Sequence, residues 1–290
     1  MEISSSVVGT EPAGLLREVT WRETMNYAAS VGDTNPRYLD DTLAEGVVAP
    51  PLFAVAVTWP ITERIQEQLK GAVPLEVIPT MVHAAEHLVF HRPIRPGDRL
   101  RVRGRVAAVL PSSAGTRLVL RLDATDEGGD PVFTEYGWAL FRGVGCSGAA
   151  RGEENVPVLP RWEEPGSAIW DVEITIPRHA AHVYDGCTNI VFPIHTSVAF
   201  ARRVGLPDII LQGTATLATA AREILNREAQ GTPERLREIA CRFTDMVIPG
   251  TPVRVQLSRR ESGRDGLLLG FRVLNQAGQA ALRWGFARIS

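Results

Sequence analysis

Apolar and charged residues alternate from Leu100 to Val109 and again from Arg117 to Ala124. A period of two marks strands with one face in a core. Between the second run and a third, Val132 to Phe141, lies Glu127-Gly128-Gly129-Asp130, a hairpin turn by its glycines. Ahead of them, His87 to Ile94 is strand-like and leads into the turn Arg95-Pro96-Gly97-Asp98. Further back, Leu52 to Leu69 is apolar at first and then amphipathic, which predicts a buried helix. Pro60 inside that run should kink the helix or mark its true start. Thr20, with Glu23 three residues on, predicts a capped helix start. Gly32 to Tyr38 is a turn by composition.

The same order then returns. Val172 to Ile176 reads as a strand and Arg178 to Tyr184 as a short helix. A polar loop follows, then a short apolar helix and the apolar helix Thr214 to Leu225. Ile239 to Val247 reads as a strand, and Ile248-Pro249-Gly250-Thr251 mirrors the turn at Pro96-Gly97. Val253 to Arg259, Leu267 to Leu274 and Ala281 to Ile289 complete the second pass. A long helix followed by antiparallel strands, twice, predicts an α+β fold with an internal repeat. Gly143 to Gly166 is rich in Gly, Pro, Ser and Glu and reads as a connector. The expected division is 1–143, 144–166 and 167–290.

Composition narrows the function classes. With 44% hydrophobic and 22% charged residues over 290 positions, the chain can build a sizeable core. A net charge of −2 argues against a nucleic-acid partner. Cys146, Cys187 and Cys241 form no Cys-x-x-Cys pair and leave an odd thiol, which favours a reducing compartment. The first residues show no basic stretch followed by an apolar run, and no apolar run reaches the ~20 residues of a membrane helix. A cytoplasmic location without membrane attachment is the expectation. His83, His87 and His91 recur every four residues, but in a strand-like stretch with no carboxylate at a ligand spacing, so no metal site is expected.

The candidate chemistry lies between Tyr184 and Gly213. A turn-prone segment, Asp185 to Asn189, leads to Pro193 and His195, and Gln212-Gly213 precedes the long second helix. An imidazole can move a proton near pH 7. Free N–H groups at a helix start can hold a carbonyl oxygen that becomes negative.

Tyr184, the polar run, Pro193-Ile194-His195 and Leu211-Gln212-Gly213 resemble the motif of the MaoC-like hydratases and dehydratases, which include the (R)-specific enoyl-CoA hydratases. The resemblance implies a double hotdog, two repeats each with a sheet wrapped round a long helix. It implies a hydro-lyase acting on an α,β-unsaturated or 3-hydroxyacyl thioester of CoA or an acyl carrier protein, without metal or redox cofactor. His195 then acts as acid/base and Gly213 supplies an oxyanion donor. Counting forward from Tyr184 puts the family's catalytic Asp at Asn189, expected to orient water, with Ile190-Val191-Phe192 as one residue of extra length before Pro193. Tyr184, Asp185, Pro193 and Gln212 are expected to contact substrate. In the first half Asp33, Asn35 and Pro36 match the motif, but Tyr38 takes the histidine's place, so that repeat is expected to be non-catalytic. A hotdog thioesterase and a non-catalytic thioester-binding scaffold remain as alternatives, and a homodimer as one of the open oligomeric states.

Overall fold

The computed structural model describes residues 1–69, 71–162 and 167–290. The end of the expected connector, 163–166, lies outside the described residues. The first half contains β1 (Glu2–Ser4), β2 (Leu15–Glu18), α1 (Trp21–Ser30), α2 (Pro36–Leu39), α3 (Phe53–Glu63) and α4 (Ile65–Gln68). It continues with β3 (Met81–Phe90), β4 (Arg99–Ser112), β5 (Gly115–Thr125), β6 (Pro131–Arg142) and β7 (Gly145–Ser147). The second half contains β8 (Trp170–Thr175), α5 (Ala180–Thr188), α6 (Val198–Arg203), α7 (Gly213–Glu228), β9 (Leu236–Phe243), β10 (Pro252–Gly263), β11 (Gly266–Leu274) and β12 (Ala280–Ile289).

Ten strands form one antiparallel sheet in the order β2-β4-β5-β6-β3-β9-β12-β11-β10-β8. That order reads alike from both ends once β8 to β12 are matched to β2 to β6. The halves meet where β3 pairs with β9, from Ala85 opposite Arg242 to Val89 opposite Glu238. Leu52, Phe53 and Val57 at α3 and Leu217, Ile224 and Leu225 on α7 share one core with Leu88, Leu120, Ile239 and Phe271 of the sheet. This is the double hotdog, α+β and built from two repeats.

Local sequence accounts for most boundaries. Thr20 and Glu23 close the predicted capping box: the Thr20 hydroxyl accepts the Glu23 N–H, and Glu23 Oε2 accepts the Thr20 N–H at 3.0 Å. Pro60 stays inside α3, and the run breaks at Arg64 into α3 and α4. Several boundaries differ from expectation. Helix α5 runs to Thr188 instead of ending at Tyr184, β9 stops at Phe243, and β3 begins at Met81. A bulge between His83 and Ala85 interrupts the alternation at the start of β3, which hides it from a period-two reading. The described part of the connector packs on the sheet: Val156 and Leu159 lie against the cluster of Ala108, Val119 and Trp138. The Trp162 carbonyl accepts the Trp284 indole N–H. Among the described residues no helix is long and apolar enough to cross a membrane.

Candidate active site

Two tyrosines mark the pseudo-twofold. Tyr27 on α1 and Tyr184 on α5 are buried, 157 positions apart, with their hydroxyls 3.0 Å from each other. The same offset carries through both motif loops. Gly32 and Asn189 follow α1 and α5 with φ of 62° and 56°, the left-handed conformation that ends a helix. Six residues after each comes a ring, Tyr38 or His195. Pro36 and Pro193 each open a short helical turn. The Val48 N–H donates to the Arg37 carbonyl at 2.9 Å, and the Ile210 N–H to that of Ile194 at 3.2 Å. Ala49 and Leu211 repeat the pattern on Ile94 and Val247, both at 2.8 Å. Pro51 in the first half therefore matches Gly213 in the second.

This register corrects the forward count from Tyr184. No extra residue separates Asn189 from His195. Asn189 stands where Gly32 stands, and the place of Asp33 is taken by Ile190, which is buried. Asn is one of the few non-glycine residues that tolerate this conformation. The Asn189 N–H donates to the Asp185 carbonyl at 2.9 Å, and its side chain is exposed with no hydrogen bond among the described residues. Its geometry is that of a helix cap.

His195 is half-buried at the end of the turn Pro193–His195. Its Nδ1 lies 2.8 Å from the Ile210 carbonyl. A carbonyl only accepts, so Nδ1 carries the hydrogen and Nε2 keeps its lone pair. Burial pushes the pKa down to about 4, with the Ile210 bond opposing. The ring is therefore a neutral base through the physiological range. Phe192, in the place of Asn35, sets its ring 6.4 Å from the imidazole.

Gln212 caps α7 from a fully enclosed position. Its Nε2 donates to the Ala181 carbonyl at 3.1 Å, and its Oε1 is buried without a partner among the described residues. Gly213 opens α7 with its Cα against Phe243, where an added Cβ would lie 2.8 Å from the ring. The first N–H groups of a helix have no intrahelical acceptor. The Tyr184 hydroxyl donates to Thr214 Oγ1 at 3.1 Å, tying α5 to the start of α7. Asp185 is half-buried, and burial raises its pKa against the influence of His182. Cys187 is also raised by burial, which keeps it a thiol and a weak nucleophile.

The first-half loop is occupied with structural bonds. Asn35 accepts the Arg37 N–H and donates to the Gly231 carbonyl at 2.7 Å. Arg222 on α7 donates to the carbonyls of Val31 and Gly32. Burial holds the Tyr38 phenol protonated, well above its ordinary range. A shallow concavity lined by Pro50, Pro51, Ile94 and Pro233 lies beside the start of α3, and none of the expected site residues lines it.

A buried polar group that sequence reasoning missed lies at the seam of the halves. Glu86 and Glu135 are enclosed, and burial drives both carboxyls well up. Glu86 Oε2 is 3.0 Å from His83 Nε2, and the Thr58 hydroxyl is 2.7 Å from Glu135 Oε2. The His83 ring lies 4.5 Å from Phe243. His83, beside the bulge in β3, keeps 38% of its side chain exposed, whereas His87 is buried and pairs with Glu238. The only available signal was a carboxylate inside an otherwise apolar strand, at Ala84-Ala85-Glu86.

Comparison with known proteins places this geometry in a family. The MaoC like domain matches residues 164–266, and the FAS1-like dehydratase domain region matches residues 6–135. A UPF0336 protein of Streptomyces griseus is 33% identical over 141 residues, covering 46% of this chain and 91% of that protein. A probable enoyl-CoA hydratase 2 of Dictyostelium discoideum is 24% identical over 211 residues, covering 72% of this chain and 70% of the other. Among solved structures, a MaoC-like dehydratase from Phytophthora capsici superposes with a TM-score of 0.85 at 19% identity, covering 98% of this chain and 96% of the other. A double-hotdog protein of Mycobacterium tuberculosis superposes with a TM-score of 0.62 at 16% identity, covering 97% and 96%. The chain belongs to the MaoC-like hydratase and dehydratase family, in its two-repeat form.

Proposed function

We propose that the chain adds water to, or removes it from, an α,β-unsaturated or 3-hydroxyacyl thioester carried by CoA or an acyl carrier protein. Residues 167–290 hold the active site, and residues 1–143 form the non-catalytic repeat. The observation that carries this reading is the asymmetry of the matched positions. The second half has His195 with a free Nε2 and Gly213 with an N–H at a helix start. The first half has a buried phenol at Tyr38 and, at Pro51, a residue with no N–H. Only one half therefore offers both a base and an oxyanion donor.

In the hydration direction His195 Nε2 takes a proton from water as the oxygen attacks C3 of the enoyl group. Electron density moves through C2 to the thioester oxygen, where the N–H groups at Gly213 and Thr214 stabilise it. Nε2 then returns the proton to C2, and the ring is unchanged over the cycle. Delivery of both parts of water from one ring favours addition on one face.

A thioesterase would need a carboxylate near the start of α7. Glu223 lies ten residues after Gly213, roughly 15 Å along the helix. It is already engaged by Arg222 and Arg227. The test is to incubate purified protein with a 2-enoyl thioester, following the enoyl absorbance and a thiol reagent together. Loss of absorbance without free thiol is the expected result; free thiol overturns the reading in favour of hydrolysis.

A further inference from the structure

With Ile190 in the place of Asp33, the loop brings no carboxylate to His195. We propose that Asp185, carried by helix α5, supplies it: Asp185 Oδ2 accepts the second hydrogen of the water whose first proton passes to His195 Nε2. The catalytic meaning of this pairing rests on the thioester reading above. Its placement rests on geometry alone.

The placement follows from the repeat. The offset of 157 that sets Tyr27 on Tyr184 sets Ala28 on Asp185 and Tyr38 on His195, and the matching bonds to the Arg37 and Ile194 carbonyls set Val48 on Ile210. Ala28, Tyr38 and Val48 pack together as a separate buried cluster. Two of their three counterparts are in direct contact, since His195 bonds the Ile210 carbonyl at 2.8 Å. The third corner of that cluster is Asp185. A small apolar residue in the degenerate half is replaced by a carboxylate in the half that carries the imidazole.

A second observation is independent of the repeat. Asp185 Oδ2 is shielded from solvent and has no hydrogen-bond partner among the described residues. A buried acceptor left unmatched is costly, and such groups are retained where something else is bound. Water held between Asp185 and His195 would satisfy it. The charged group that bears on this carboxylate is His182, one turn earlier on α5, which favours its ionised form against burial.

Chemically the arrangement divides the work. The O–H bond to Nε2 breaks as the C3–O bond forms, and the Nε2 proton later forms the C2–H bond. Asp185 stays ionised throughout, orients the water and favours the imidazolium that exists between the two steps. Placing the carboxylate on the helix instead of the loop changes its origin without changing that task.

The experiment compares the parent with Asp185→Asn, and with Asp185→Asn combined with Ile190→Asp, on a 2-enoyl thioester. The expected loss in kcat for Asp185→Asn is about 100-fold, with KM changed less than about 3-fold, because the group acts on water. Ile190→Asp should restore part of that rate by returning a carboxylate to the loop position of Asp33. In parallel, NMR follows the His195 ring against pH, a readout that needs no turnover. Its midpoint should fall when Asp185 becomes neutral. A parent inactive on thioesters, with the midpoint still shifted, leaves the pairing in place and removes the reaction assigned to it. An active parent with Asp185→Asn unchanged in rate, or a ring that titrates identically in both proteins or in neither, overturns the inference.

Discussion

Tyr27 and Tyr184 meet edge to face across the pseudo-twofold, ring centroids 5.7 Å apart at 67°, with the hydroxyls bonded. The Tyr184 hydroxyl donates onward to Thr214 at the start of α7. One tyrosine thus ties the halves together and supports the start of α7, and the other only completes its hydrogen bonding. Tyr184→Phe should cost about 1–3 kcal/mol in urea unfolding, because it strips partners from two buried groups. Tyr27→Phe should cost less, and the double substitution should be less than additive. Equal, additive losses would show that the two hydroxyls are energetically independent.

The helix-cap reading of Asn189 makes a direct prediction. Asn189→Gly should keep activity within about 2-fold and leave stability unchanged or slightly higher, since glycine adopts this conformation without strain. Asn189→Ala should lose about 1 kcal/mol. A 100-fold fall in kcat for Asn189→Gly would return Asn189 to the chemistry.

Gly213→Ala tests the close approach at the helix start. A Cβ there would lie 2.8 Å from the Phe243 ring. The ring or the helix must move, costing about 1–3 kcal/mol and shifting the oxyanion donors. A displacement of that kind should lower kcat about 10-fold or more, in steady-state kinetics beside a thermal melt. Full activity would remove Gly213 from the mechanism.

The repeat was legible because its signals are local. Period-two alternation in β4 and β5, the paired turns at Pro96-Gly97 and Pro249-Gly250, and the Thr20–Glu23 box need only neighbouring residues. His195 and Gly213 as candidates, and Tyr38 in the histidine's place, could be named for the same reason. What failed depended on backbone conformation or on the other half. The count to Asn189 went wrong because a left-handed cap can be filled by Asn or by Gly, and only φ reveals that the two positions match. Glu86 and Glu135 lie on strands whose burial is decided by the facing half. Asp185 was visible as a residue expected to contact substrate, but its orphaned oxygen was not.

The buried ionisable groups predict how stability varies with pH. Burial lowers His195 to about 4 from 6.5, so the unfolded chain binds protons first and stability falls as pH drops from 6.5 toward 4. Burial raises Glu86 and Glu135 above 4.5, so the unfolded chain ionises first and stability falls as pH rises above 4.5. Glu135→Gln should therefore stabilise the protein more at pH 9 than at pH 5 in denaturant titrations. A gain that does not grow with pH would mean that Glu135 is ionised in the fold.

The most direct test of the central claim compares His195→Ala and Tyr38→Phe with the parent on one 2-enoyl thioester across pH 4 to 9. His195→Ala should lower kcat/KM by about 100-fold or more. Tyr38→Phe should retain most of the parent rate. The parent's acid limb should lie near the lowered pKa of about 4, well below that of an exposed histidine, because the buried ring stays neutral. Equal losses from the two substitutions, or an acid limb at 6.5 that survives His195→Ala, would contradict a single His195-based site in the second half.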